Sequence, residues 1–413
     1  MTEIGQMSRR ASRPETIRTQ NERLVLDLLR EKGRLTRADL SKETSLTLPA
    51  IASITASLVE EGLVREQKLA REGQGRGRPP VILEFIPDSS FVVGIRLGRT
   101  DTTIVLADAL GHEKGRRTIP LLDDTGFEAV TSALVQNVTA LFAQYDVALG
   151  KLGAVGIAIQ GSIDPETDKI IAIPRLDWGE VPLAETLSRA LDAPVHVIEA
   201  GRAGAVAEYV EGLARNDYNV IVIDVGAKMS AAIIINGRIV NGAHGLAGAL
   251  GDCLVPANPK VDKLDVTSEG NASLADIILS PELYETFQDA VPRLNRADSS
   301  VWDQIEEARL SDEEAARVIG QGGYFMAHGV AWLANLFDPD MIIMSGGMSV
   351  VPQSFQDSFT AMVDQFVPPA LQEKLTIRFS ELGTEGWLRG AVLAAMQTQS
   401  SSLEHLFDRA SAV

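Results

Sequence analysis

The sequence predicts an α/β protein: an N-terminal winged helix-turn-helix followed by a duplicated, two-lobed α/β body. Three observations carry this. Three amphipathic helical segments succeed one another before Gly62. Two short strand-like runs then flank a Gly/Arg/Pro stretch at positions 73–80. Farther on, a strand–turn–strand unit occurs twice, about 127 positions apart.

The first helix is expected from about Pro14 to Glu31, where Leu24, Val25, Leu28 and Leu29 fall at helical spacing and Gly33 ends the run. The second opens at Thr36, with Asp39 three residues on as in a capping box, and turns Leu40 inward. The third opens near Thr47, with Pro49 in its first turn, where a missing N–H costs little. Ile51, Ile54 and Leu58 form its apolar stripe, and Gly62 closes it. The short link between the second and third helices is the spacing of a DNA-reading helix-turn-helix. In that geometry the third helix enters the major groove, so Thr47, Pro49, Ala50 and Ser53, with Arg37 on the preceding helix, are the expected DNA contacts. The helix residues are small, and hydroxyls and thymine-methyl contacts would do the reading. Positions 63–67 and 81–85 are expected as wing strands. Between them Arg76-Gly77-Arg78-Pro79 resembles an AT-hook, whose two arginines enter a narrow A·T minor groove.

Charge supports this division. The chain of 413 residues has a net charge of −18, yet residues 1–80 hold 15 Lys+Arg against 11 Asp+Glu, and the remainder is strongly acidic. A basic arm on an acidic body implies that only the arm meets phosphate. No uninterrupted apolar run approaches 18 residues, so no membrane span is expected, and the polar start lacks a signal core. Cys253 is the single cysteine, which excludes an intrachain disulfide and a Cys-based zinc site. It is expected to be a small buried apolar residue. A cytoplasmic location fits.

From residue 89 strands alternate with helices. Phe91–Leu97 is apolar, Gly98 turns, and Thr102–Asp108 returns; Tyr218–Val225, Gly226 and Ser230–Ile235 repeat the unit, and Asn236-Gly237 follows as a hairpin turn. Leu152–Ile159 reads as a buried strand ending in Gln160-Gly161, Pro194–Ile198 and Asp340–Met344 as further strands, and residues 202–213 and 386–399 as helices. Four parts are expected: a flexible tail (1–15), the winged helix-turn-helix (16–88), a first lobe (89–197 with 384–413) and a second lobe (198–383), with a cleft between the lobes.

Asn21-Glu22-Arg23, Thr36 to Leu40, the Gly-Arg-Pro of the wing, Val93-Gly94-Ile95, Gly156 to Asp164, Asp177-Trp178, Ala247-Gly248 and Asp340 to Gly347 together resemble the ROK family (repressors, open reading frames, kinases), in its repressor branch. The resemblance implies an actin/hexokinase-like (RNase H-like) body, double-stranded operator DNA as partner, a homodimer or a dimer of dimers, and a sugar or sugar derivative as effector, in the regulation of carbohydrate genes.

It also implies that kinase chemistry is lost. The family's kinases deprotonate the sugar hydroxyl with an Asp in an Asn-Asp pair; the matching residues are Glu199 and Ala200, and alanine accepts no proton. The second phosphate loop keeps only Gly226 of its glycines, and Arg96 replaces the first loop's acidic residue. The sugar-contact pattern Ala-Gly-Glu-x-Gly-His stands here as Ala247 to Asp252, without its glutamate and histidine, and positions 256–269 hold no cysteine. No catalysis, metal or cofactor is expected. Gln160, Glu199, Arg202, His244 and Asp252 are polar residues at or near pocket positions and are the candidate effector contacts. Two readings stay open: Arg202 recognises a carboxylate or phosphate, or it forms a structural ion pair with Glu199 in an unliganded cleft. Trp178 either stacks on a sugar or packs its lobe. A regulator controlled by a protein partner is the alternative.

Overall fold

A computed structural model describes residues 14–68, 81–98, 101–120, 126–256, 271–275 and 313–398, apart from isolated loop positions that include Asp177, Ala227, Lys228 and His244; Leu403 and Leu406 are described beyond them. The expected tail and the Arg76–Arg78 hook lie outside the described residues.

In the N-terminal domain α1 (Pro14–Lys32) ends on Gly33, whose φ of +76° suits a residue without Cβ. β1 (Arg34–Thr36) leads into α2 (Arg37–Thr44). The capping box is present: the Asp39 carboxylate accepts the Thr36 N–H at 2.9 Å, and Thr36 Oγ1 accepts the Asp39 N–H at 3.2 Å. α3 (Leu48–Glu60) starts after Thr47, whose Oγ1 accepts the Ala50 N–H at 3.4 Å. β2 (Val64–Lys68) and β3 (Val81–Phe85) complete an antiparallel sheet of order β1-β3-β2. Val25, Leu29, Leu40, Ile51, Ile54, Leu58, Val64, Leu83 and Phe85 fill one core between helices and sheet, each such side chain contributing about 1.5–3 kcal/mol by burial.

The body holds two five-stranded sheets of one design. The first comprises β4 (Phe91–Leu97), β5 (Asp101–Asp108), β6 (Glu113–Pro120), β7 (Leu152–Ile159) and β10 (Val195–Glu199), in the order β10-β7-β4-β5-β6. Beside it stand α4 (Phe127–Gln144), a small ladder of β8 (Ser162–Ile163) with β9 (Ile170–Ala172), and α5 (Leu183–Leu191). α6 (Ala200–Val210) opens the second half. Its sheet comprises β11 (Val220–Val225), β12 (Met229–Ile235), β13 (Arg238–Ile239), β16 (Met341–Gly346) and β17 (Thr376–Phe379), in the order β13-β12-β11-β16-β17. Beside this sheet lie the β14 (Leu254–Pro256) and β15 (Asn271–Ser273) ladder, α7 (Glu313–Phe337), α8 (Gln353–Asp364) and α9 (Pro369–Gln372), while the closing α10 (Gly383–Met396) packs on β4 and β7 of the first sheet and against α6. In each sheet the first strand pairs antiparallel with the second and parallel with the fourth. The sheets are thus duplicates, strand for strand. Asn236 and Gly237 have φ of +51° and +71°, as the β12–β13 hairpin requires.

α10 fastens the halves together by backbone-to-backbone approach. A Cβ added at Gly390 would lie 1.9 Å from the Ala203 carbonyl oxygen of α6, and one at Gly156 of β7 would lie 1.9 Å from that of Ala391. Neither partner is a side chain that can swing away. Gly390→Ala is therefore expected to destabilise by about 1–3 kcal/mol or more, whereas Gly150→Ala, with open space around it, should leave the melting temperature unchanged. Thermal denaturation of the two variants checks this.

The body also reaches into the N-terminal domain. Buried Asp108 accepts the N–H of Leu110 at 2.9 Å and of His112 at 3.1 Å, which shapes the β5–β6 turn. At its tip Ala109 is buried in the winged-helix core, with Leu110 packed against it. Cys253, expected to be buried, is exposed. It follows a 3-10 turn at Leu250–Asp252 and precedes a short two-stranded ladder. Partial burial and the Asp252 charge hold its thiol above the ordinary value, which makes it a poor nucleophile.

Candidate nucleic-acid interface and interlobe cleft

The buried stripe of α3, Ile51, Ile54, Thr55 and Leu58, fixes which face is free. That face carries Leu48, Pro49, Ala52, Ser53 and Ala56, all exposed. Of the expected contacts, Thr47, Pro49 and Ser53 are exposed beside one another and Ala50 is half-buried. Leu48, more than half exposed at 54%, and Ala52 and Ala56 were missed, although counting four residues from one to the next opposite the buried stripe finds them. The face has no charge; it offers methyl groups and the Ser53 hydroxyl, which suits contact with base edges and thymine methyls.

Arg37 is not part of that face. Its Nε donates to Thr55 Oγ1 at 2.9 Å and its guanidinium pairs with Glu66. Spacing places it near the groove; in the fold two of its donors go to α3 and β2. Pairing holds more widely. Residues 14–68 contain nine Lys+Arg and nine Asp+Glu. Among the described residues, Arg18 pairs with Glu22, Arg30 with Asp27, Lys32 with Glu43, and Arg34 and Arg65 flank Glu84 on β3. The net positive charge of the first 80 positions therefore lies in two segments, 1–13 with Arg9, Arg10 and Arg13, and 69–80 with Arg71, Arg76 and Arg78.

The second candidate site gathers at the carboxyl ends of strands from both sheets, where open α/β sheets hold ligands. Gln160 follows β7, Glu199 ends β10, Asp224 and Gly226 lie at the end of β11, and Gly346 ends β16. A Cβ at Gly226 would be 3.2 Å from Gln160 Nε2 and 3.7 Å from Asp224 Oδ2; one at Gly201 would be 2.6 Å from Ser230 Oγ and 3.1 Å from Glu199 Oε2. Asp224 is 5% exposed and accepts the Trp387 indole N–H at 3.0 Å. Burial, then the neighbouring Glu199 charge, push its carboxyl up to about 7, against the pull of the indole hydrogen bond. Asp224, Ser230 and Trp387 escaped sequence reasoning. The available signal was the aspartate itself, a charge inside the apolar run Val220–Val225.

The other expected residues divide. Glu199 caps α6, its carboxylate accepting the Arg202 N–H at 3.0 Å. Arg202 donates to Asn241 Oδ1 at 3.0 Å and to the Gly245 carbonyl at 2.7 Å, tying α6 to the loop after β13. Asp252 is exposed on its 3-10 turn, and His244 lies outside the described residues. Trp178 meets Phe127 edge-on at 5.4 Å and packs against the first-lobe core, so the packing reading holds. Ala200 is buried where the kinase pattern has its carboxylate.

A polar connection runs from α10 and the end of α6 to the turn that enters the N-terminal domain. Arg389 of α10 makes a bidentate pair with Glu211, just past α6, at 2.6 and 2.8 Å, and donates to the Gly111 carbonyl at 3.0 Å. Gly111 belongs to the turn whose tip enters the winged-helix core.

Comparison with known proteins identifies both parts of the chain. The ROK family model matches residues 92–398, and the model for winged helix-turn-helix DNA-binding domains matches residues 18–65. The chain is 25% identical over 398 residues to the xylose repressor of Bacillus spizizenii, covering 94% of this chain and 96% of that protein. It is 25% identical over 378 residues to the DNA-binding transcriptional dual regulator NagC of Escherichia coli, covering 89% and 90%. Among solved structures, a ROK family transcriptional regulator described as a homolog of the E. coli Mlc protein superposes with a TM-score of 0.76 at 24% identity, over 94% of this chain and 98% of that one. A ROK hexokinase from Thermus thermophilus superposes with a TM-score of 0.59 at 23% identity, over 74% of this chain and 97% of that one. These two structures share the fold.

Proposed function

The chain belongs to the ROK family, and from that premise we propose that it is a cytoplasmic transcriptional repressor of carbohydrate-related genes. It binds operator DNA as a homodimer or tetramer, and its kinase-like body senses a sugar or sugar derivative without transferring phosphate. The observation that carries the reading is the free, uncharged face of α3 in a winged helix-turn-helix whose core the body itself enters at Ala109. The name of the xylose repressor supports repression and a sugar signal, and that of NagC, a DNA-binding dual regulator, supports transcriptional regulation. Ala200 supports the absence of catalysis: a methyl group cannot take the sugar proton. Movement of one lobe against the other would reach the DNA domain through Arg389 and the β5–β6 turn.

The test is binding of the purified protein to its own upstream DNA at low ionic strength, with thermal-shift screening against sugars, sugar acids and sugar phosphates. One compound should raise the melting temperature and change operator affinity by roughly 5–150-fold. Arg389→Ala should keep both binding events and shrink that change. Failure to retard any upstream fragment would overturn the proposal. A second reading, control by a protein partner, is favoured by the commitment of Arg202 to the Asn241–Gly245 loop; under it no compound shifts the melting temperature.

A further inference from the structure

We infer that Arg37 is a positioning residue that locks the recognition helix to the wing and does not itself neutralise DNA phosphate; this rests on the DNA-binding reading above. Arg37 is the first residue of α2, where a cation meets the unfavourable end of the helix dipole. Its side chain leaves that end and joins three elements. Nε donates to Thr55 Oγ1 at 2.9 Å, and the terminal nitrogen pairs with Glu66 Oε1 on β2. Thr55 is fully buried on α3, and its hydroxyl donates to the Ala52 carbonyl at 3.3 Å, which leaves a lone pair for Arg37. The guanidinium is 31% exposed and the Glu66 carboxylate 39%.

β2 is zipped to β3 along Val64–Lys68, with Arg65 paired to Glu84, but few of its side chains are held by packing. Only Val64 is buried; residues 65–68 are exposed, and the strand lies at one edge of the small sheet. Past Lys68 the chain enters the segment that carries Arg71, Arg76 and Arg78. The ladder fixes β2 within the sheet; the Arg37–Glu66 pair ties it across to α2 and, through Thr55, to the helix whose free face carries Leu48, Pro49, Ala52 and Ser53. A helix and a wing that must reach adjacent grooves together need their relative placement held, because a misplacement of about 1 Å at a recognition site is costly.

The two roles predict opposite signs. If Arg37 gripped phosphate, Glu66 would compete for it and repel DNA, so Glu66→Ala would strengthen binding, and Arg37→Ala would lower the salt slope by about 1. If Arg37 positions, Glu66→Ala weakens binding roughly 5–20-fold although it removes a negative charge. Arg37→Ala then weakens it similarly at an unchanged salt slope, and the double variant is no worse than either single one. Glu66→Gln keeps the acceptor and should restore binding to within about twofold. The experiment is a fluorescence-anisotropy titration of operator DNA with full-length protein at several salt concentrations, each variant first checked for native melting. Unchanged or tighter binding by Glu66→Ala, or a slope lowered by about 1 in Arg37→Ala, would overturn the inference. A wild-type protein that bound no DNA would overturn only the reading on which it rests.

Discussion

Replacing Arg76 and Arg78 together by Ala is expected to weaken operator binding about 100-fold and to lower the slope of log affinity against log salt by about 2. The size follows from where the charge is. Between Pro14 and Lys68 the nine cations are matched by nine anions, and Arg18, Arg30, Lys32, Arg34, Arg37 and Arg65 each lie within 4 Å of a carboxylate. Such a surface has almost no far field, and the body beyond it is acidic and repels DNA. The reading face of α3 adds no cation. The unmatched positive charge lies in the two flanking segments, and the hook supplies two of their six arginines. Each phosphate neutralised contributes about 0.9 to the slope. Anisotropy titrations between about 50 and 200 mM salt measure it directly. A double variant with wild-type affinity and slope would remove the hook from the account and shift the burden to Arg9, Arg10 and Arg13.

The N-terminal fold was legible because its signals are local. Gly33, the Thr36–Asp39 box, Thr47 with Pro49, and Gly62 each mark an element boundary by backbone chemistry that acts within four residues. The duplicated hairpins of the body were legible for a similar reason, since β4, β7 and β11 are almost wholly buried and read as apolar runs. β6 was not. It is the edge strand of its sheet, mostly exposed over Glu113–Pro120, and so carries neither alternation nor a run. The long α7 contains Gly320, Gly322, Gly323 and Gly329, each costing about 1 kcal/mol of helix propensity; packing of Phe325, Met326, Val330 and Ala334 into the second core overrides it. Spacing also cannot say where a long side chain ends. The hydrogen bonds of Arg37 to Thr55 and of Arg202 to the Gly245 carbonyl join residues 18 and 43 positions apart, which spacing does not announce. Asp224 and Trp387 stand 163 positions apart, and nothing local announces that they meet.

Asp224→Asn is expected to raise the melting temperature, and by several degrees more at pH 8 than at pH 5. The carboxyl titrates at about 7 in the folded protein and near 3.9 in an unfolded chain. Below about pH 4 both states hold the proton and the group is neutral in its effect. From there to about pH 7 the unfolded chain releases its proton while the fold retains it, and stability falls by up to about 1.4 kcal/mol per pH unit. Above pH 7 the loss levels off, at most about 4 kcal/mol and less if Glu199 takes up part of the proton. Asparagine removes that loss: its carbonyl still accepts the Trp387 N–H, and its amide faces the Glu199 charge that a carboxylate resents. Each kcal/mol recovered is worth about 2–4 °C in a body of this size. Equal gains at both pH values would show that Asp224 is not held neutral by burial and by Glu199. On the proposed reading, in which the interlobe cleft takes the effector, so costly a carboxyl at the strand ends is retained for binding, and the stabilised variant should also lose the melting shift produced by any compound that the wild type binds.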